Sequence, residues 1–141
     1  MVSSRDQIQS FFSSNTIKAV VFLYNISYLC GMKKIIAYKS YFYEFLQGLS
    51  KAEREKFLRA LDLLMTEDKI PRHYIKFIRD GLYEFRSNYG NNEFRVFFIY
   101  DEGKVIVLFN AFRKKSQKTP NSEIKKALRL KEEYYATKRN Q

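Results

Sequence analysis

Cysteine and histidine each occur once in the 141-residue chain, proline twice, glycine five times and tryptophan never. Cys30 alone can neither close an internal disulfide nor build a thiolate zinc site. His73 alone excludes a pair of histidines on a metal. No metal or other cofactor is therefore expected. A single thiol fits a reducing compartment, and a cytoplasmic location is the expectation. No apolar run approaches the about 18 residues of a spanning helix, so no membrane partner is expected. Acidic charge is scarce as well: 15 Asp and Glu stand against 26 Lys and Arg, a net charge of +11.

What is present suits one domain of ordinary size. Aromatics make up 17% of the residues, enough for Phe and Tyr to fill a small core. The positive excess bears on partners and solubility, not on fold. It fits a plain basic protein. It also fits a protein that meets nucleic acid or a ribonucleoprotein, since lysine and arginine displace counterions from phosphates. The cations cluster between Arg113 and Lys131, which favours the second reading.

Residues 1–31 differ in character from the rest, being polar and serine-rich and then apolar from Ala19 to Cys30. A signal peptide fits poorly, because the front carries little positive charge and no small-x-small cleavage site follows the apolar run. Leu29 is too large for a lipid-anchor site at Cys30. The expectation is a start at Met32, with 1–31 a non-native or weakly ordered extension and 32–141 the domain.

From Lys34 to Tyr38 an apolar run reads as an opening strand. Tyr41, Phe42, Phe45, Leu46 and Leu49 recur at helical spacing within Ser40–Leu49. Ser50-Lys51-Ala52-Glu53 is a capping-box pattern. The helix after it stripes Phe57, Leu58, Leu61, Leu64 and Met65 on one side, which leaves Glu53, Glu55, Arg59 and Asp62 as solvated positions. Three strands are then expected: Leu82–Ser87, Phe94–Tyr100 and Val105–Ala111. A loop over 87–92 joins the first two, and a tight Asp101-Glu102-Gly103 turn joins the last two. The third strand does not alternate, so both its faces should be covered. Thr119 reads as the cap of a final helix with Pro120 in its first position, packing through Ile124, Ala127, Leu128, Tyr134 and Tyr135. The fold class is α+β: two N-terminal helices on a small antiparallel sheet, with a basic C-terminal helix.

Arg95 interrupts the apolar strand FRVFF. A buried guanidinium needs a partner or an open cleft. Glu84 across the hairpin is one candidate partner; a phosphate, matched by the guanidinium fork, is another. Alternation puts Glu84 and Arg86 on one face, so Glu84 could hold one arginine while another meets substrate. Arg113, Lys114, Lys115 and Lys118 form a run that reads either as a solvated loop or as an anion site supplying a proton-transfer group. Lys125 and Arg129 on the final helix are candidate RNA contacts. His73 reads as an exposed linker residue. Tyr74, Tyr83 and Tyr100 are base-stacking candidates, although aromatic strand residues are more often core.

Together, the opening MKK strand, the paired helices, GLYEFR, NEFRVFF, DEGKVIVLFNAF, the run RKKSQKTP and the basic helix resemble a known family. Over residues 32–139 the chain is similar to toxins of the RelE/ParE superfamily, in the HigB-like, phage-derived branch of type II toxin–antitoxin systems. The resemblance implies a metal-independent endoribonuclease that cuts messenger RNA on the ribosome. It also implies a cognate helix-turn-helix antitoxin as partner, beside the ribosome and messenger themselves. Arg95 matches the strand arginine that holds the scissile phosphate, and Arg86 the arginine ending the preceding strand. Arg113, Lys114, Lys115 and Lys118 match the basic segment, giving Arg86, Arg95, Lys115 and Lys118 as catalytic candidates and Arg113, Lys114, Lys125 and Arg129 as RNA contacts. Two departures leave the general base open. Leu82 and Glu84 stand where the RelE branch has lysines, and the basic run has no counterpart of the catalytic histidines of some HigB proteins. A ParE-like gyrase inhibitor without a nuclease site, or a plain RNA- or ribosome-binding module, are the rival expectations.

Overall fold

The computed structural model describes residues 33–140. The expected extension over 1–31 and the start at Met32 lie outside these residues. The elements in chain order are β1 (Lys34–Ala37), α1 (Tyr41–Gln47), α2 (Lys51–Thr66), β2 (Ile75–Arg79), β3 (Leu82–Tyr89), β4 (Asn92–Asp101), β5 (Val105–Lys114) and α3 (Asn121–Arg139).

The strands form one five-stranded sheet in the order β1-β5-β4-β3-β2. β2 through β5 pair as an antiparallel meander. β1 lies parallel to β5, with Lys34 opposite Val105 and Ala37 opposite Leu108. The fold is α+β as expected, but the sheet is mixed rather than antiparallel. It is also one strand larger, because β2 was not anticipated. Its sequence IKFIR leaves Lys76, Phe77 and Arg79 exposed, so it carries no apolar stripe to mark it.

The sheet is covered on both faces. On one, Phe42 and Leu46 of α1 and Phe57, Leu61 and Leu64 of α2 pack on Phe85, Phe94, Val96, Phe98, Ile106 and Leu108. On the other, Ala127 and Leu130 of α3 pack on Leu82, Phe97, Ile99, Val107 and Phe109. Each large side chain buried in these layers contributes about 1.5–3 kcal/mol relative to exposure. The two-sided burial of β5 matches its unbroken apolar run.

Ser50 caps α2 as its sequence foretells. Its Oγ accepts from the Glu53 backbone N–H at 3.2 Å, and Glu53 Oε1 accepts from the Ser50 N–H at 3.0 Å. Glu53 and Asp62 are nonetheless buried, not solvated. For Glu53 the reason is reach: its second oxygen accepts from Asn92 Nδ2 and Arg113 Nη2 across the sheet.

A turn and a bulge shape the central strands. β3 and β4 run on to a short turn at Gly90, whose φ of 58° is cheap only without a Cβ. Both strands are therefore longer than expected. Between β4 and β5 the register slips between Val96 and Phe98: Val96 faces Ala111 and Phe98 faces Leu108. Phe97 alone is thus opposed by both Phe109 and Asn110, a bulge that resets which residues after Asn110 face which layer. No helix among the described residues is long and apolar enough to cross a membrane.

Candidate functional site

Strand alternation and register carry Glu84, Arg86 and Arg95 to the α3 face of the sheet. Arg86 stands opposite Arg95 in the β3–β4 pairing. Two guanidinium groups placed side by side repel unless an anion lies between them, and Glu84 supplies it. Its side chain is fully buried, and Oε1 accepts from Arg86 Nε at 2.9 Å. Arg95 Nε lies 3.5 Å from the same oxygen, while Arg95 Nη2 lies 3.5 Å from Glu93 Oε1. Arg95 Nη1 donates to the Phe94 carbonyl at 3.0 Å. The other carboxylate oxygen of Glu84 accepts from the Thr119 hydroxyl at 2.7 Å.

The two arginines differ in access. The Arg95 side chain is 6% exposed and that of Arg86 is 31% exposed. Arg95 is also under-satisfied. Its Nε lies near Glu84, yet among the described residues this buried N–H has no hydrogen-bond acceptor. Such a donor costs free energy.

Beside the cluster opens a groove of about 380 Å³. Its cations are Lys76, Arg86, Lys114 and Lys118, its apolar wall is Phe77, Ile78 and Ile124, and Gln117 and Thr119 complete it. Among the described residues no acidic side chain lines it. Phe77 is 56% exposed, and its ring meets that of Tyr83 at 5.3 Å, on the α2 side of the sheet. Arg86 also lines a second open cleft, about 360 Å³, on the α2 side.

The basic run after the apolar part of β5 does not act as one patch. β5 continues to Lys114, so alternation parts its first two cations. Arg113 turns to the α2 face, where Nη2 lies 3.3 Å from Glu53 Oε2 and the guanidinium sits 5.5 Å from the Phe94 ring centroid. Lys114 and Lys118 reach the groove. Lys115 is exposed and lines neither cleft, and Lys125 and Arg129 are exposed along α3. The structure thus gathers Arg86, Lys114 and Lys118 on one groove and Arg86 with Arg95 on the other cleft, and sets Arg113, Lys115, Lys125 and Arg129 apart from both.

Two members of the site were not expected in that role. Lys76 comes with the unanticipated β2, paired with Glu84. Thr119 was expected to cap the last helix. Pro120 occupies that position instead, no side chain caps the helix, and the Thr119 hydroxyl turns to Glu84. No three His, Cys, Asp or Glu side chains converge as a metal site among the described residues.

A cationic groove beside arginines held by a buried carboxylate, on a small basic α+β domain, has a charge complementary to a polyanion. Residues 44–132 match the family described as Phage derived protein Gp49-like (DUF891), and the chain belongs to that family. It is a RelE/HigB-like toxin family of toxin–antitoxin systems, and it implies an antitoxin partner. Comparison with curated proteins gives no match.

Proposed function

We propose that this protein is the toxin of a type II toxin–antitoxin system of the HigB-like branch, and that it cleaves messenger RNA on the translating ribosome. The observation that carries this reading is the pairing of a part-exposed arginine with an under-satisfied buried one beside a groove of cations with no acidic lining. Phosphoryl transfer asks little covalent chemistry of a protein: positioning and charge stabilisation do most of the work. The ribose 2′-hydroxyl attacks the adjacent phosphorus, the O2′–P bond forms and the P–O5′ bond breaks. The 2′-hydroxyl proton leaves to water, and the departing 5′-oxygen takes up a proton from a lysine ammonium, which water then re-protonates. Arg86 and Arg95 hold the phosphate oxygens as charge builds. Lys118, on the groove wall, is the better placed proton-transfer group; Lys115 is its alternative on the same loop. Lys114 and Lys76 hold flanking phosphates, and Lys125 and Arg129 offer a wider surface to ribosomal RNA.

The test is a translating extract supplied with a reporter messenger. The expected result is cleavage only while the messenger is translated, with 5′-hydroxyl ends. Ends carrying a 5′-phosphate would reject attack by the 2′-hydroxyl. Loss of gyrase supercoiling without cleavage would establish the ParE-like reading, and ribosome binding without cleavage a binding module.

A further inference from the structure

Arg86 lines two clefts: the groove toward α3, and a second cleft that it shares with Arg95. The second cleft lies in a notch of the sheet. β2 begins opposite Phe85, and the last contact on that edge is the Arg86 N–H donating to the Tyr74 carbonyl at 2.7 Å. β3 runs on to Tyr89 past the point where β2 has started, so among the described residues no strand pairs with the far end of β3 on that side. Into the notch open Lys56 from α2, His73 and Tyr74 from the turn before β2, and Asn88 from β3, with Arg86 and Arg95 at its floor.

Its contents suit a base and a phosphate together. Phe85, Tyr74 and His73 form a stepped aromatic column. Tyr74 stacks on Phe85 at 6.0 Å with a 9° angle between rings, and the His73 ring follows at 4.1 Å from Tyr74, tilted 40°. Phe85 is buried, Tyr74 part-buried and His73 exposed, so the column ends in an open ring. An exposed ring on a rigid column takes a base face without regard to sequence. Lys56 brings a cation and Asn88 an amide that can both donate and accept. Glu93, also on the wall, lies 3.5 Å from Arg95 Nη2 and is charge-compensated there.

We propose that this notch is a second nucleotide subsite for single-stranded RNA. It would hold the nucleotide next to the one in the groove, with the phosphate between them at Arg86. The inference rests on the nuclease reading and extends it: the strand bends around Arg86, one base passes to the groove side and the next stacks on His73. A cleft of about 360 Å³ has the volume of one nucleotide, and the open edge of β3 leaves the chain a way out.

The test uses a short 2′-O-methyl oligonucleotide, which cannot undergo 2′-hydroxyl attack, so binding is read apart from cleavage. Fluorescence anisotropy at low salt should show His73→Ala weakening binding by roughly five- to a hundred-fold, and Lys56→Ala weakening it in a salt-dependent way. His73→Phe should bind nearly as wild type, because the ring face is kept. Lys104→Ala, at the opposite end of the sheet, should bind as wild type. Wild-type affinity in His73→Ala, equal loss in His73→Ala and His73→Phe, or no binding by the wild-type protein would each overturn the subsite. Cleavage by the wild-type protein on translating ribosomes is scored separately, so the subsite can fall while the nuclease reading stands.

Discussion

Thr119 donates its hydroxyl to Glu84 at 2.7 Å, joining the loop before the last helix to the third strand. Through this bond the same carboxylate that holds Arg86 and approaches Arg95 also fixes the residue next to Lys118. The arginines and the basic loop are therefore not independent parts.

Removing Glu84 should cost more than removing either arginine. Glu84→Ala leaves Arg95 buried with only Glu93 for charge partner, and frees Thr119 as well. The expected loss is about 3–5 kcal/mol, as for a broken buried ion pair. Arg95→Ala leaves Glu84 with Arg86 and Thr119, and about 1–3 kcal/mol is expected. Arg86→Ala, at a part-exposed position, should shift the melting temperature least. Messenger cleavage should fall roughly a hundred- to a thousand-fold in both arginine variants. Melting curves and cleavage rates measured side by side decide: a folded Arg95→Ala protein that cleaves at the wild-type rate removes Arg95 from the site.

Thr119→Val is isosteric but cannot donate. It should leave Glu84 Oε2 short of a buried partner, at about 1–3 kcal/mol, and slow cleavage by loosening the loop that carries Lys118. Thr119→Ser keeps the hydroxyl and should stay close to wild type in both. Equal behaviour of the two variants would mean that the hydrogen bond anchors nothing.

Much of this architecture was legible in the chain, and the failures share a cause. The capping box of Ser50 and Glu53, the apolar stripe of α2 and the covered β5 are local patterns, and each was read correctly. The parallel pairing of β1 with β5 joins Lys34 to Val105, a choice that no local pattern records. β2 lies at the sheet edge with Lys76, Phe77 and Arg79 exposed, so its sequence shows neither alternation nor an apolar run. Glu53 looked solvated because it lies off the helix stripe, yet a long side chain at a helix end reaches Asn92 and Arg113. Glu84 as a partner of Arg95 was visible from the hairpin that joins their strands; that it would also claim Thr119 was not, since helix-capping preference alone favoured another use of that hydroxyl.

The far end of the sheet carries a second anchor, and its pH dependence follows from the groups involved. Asp101 accepts from Tyr134 Oη at 2.5 Å and from Lys138 Nζ at 2.8 Å, tying the C-terminal part of α3 to the β4–β5 turn. Burial pushes the Asp101 carboxyl up, but the hydrogen bonds from Lys138 and Tyr134 and the Lys138 charge together hold it below the usual range. A lowered carboxyl stabilises the fold above its unfolded value of about 4, and that contribution is lost as pH falls through the folded value. Burial, and then the bond to Asp101, push the Tyr134 hydroxyl up; its contribution is full below about pH 10 and is lost at higher pH. The melting temperature should therefore drop at both extremes, and Asp101→Asn should flatten the acid limb. An acid limb of unchanged steepness in Asp101→Asn would show that other carboxylates govern it.

Arg113 and Lys114 are adjacent in sequence and opposite in role. β5 extends through both, so one side chain goes to each layer. Arg113 meets Glu53 and the Phe94 ring beside α2, while Lys114 lines the groove with Arg86 and Lys118. Arg113→Ala should lower stability, by about 1 kcal/mol for a part-exposed pair of this kind, with cleavage little changed. Lys114→Ala should do the reverse. It keeps the melting temperature and weakens RNA binding across sequences, with the salt dependence of binding reduced by about one phosphate contact. If the basic run were instead a single solvated patch, both variants would weaken RNA binding alike and neither would alter stability. The comparison thus tests whether the charge of this loop is sorted by the pleat of the strand. It needs only two point variants, a melting curve and a salt series of binding measurements.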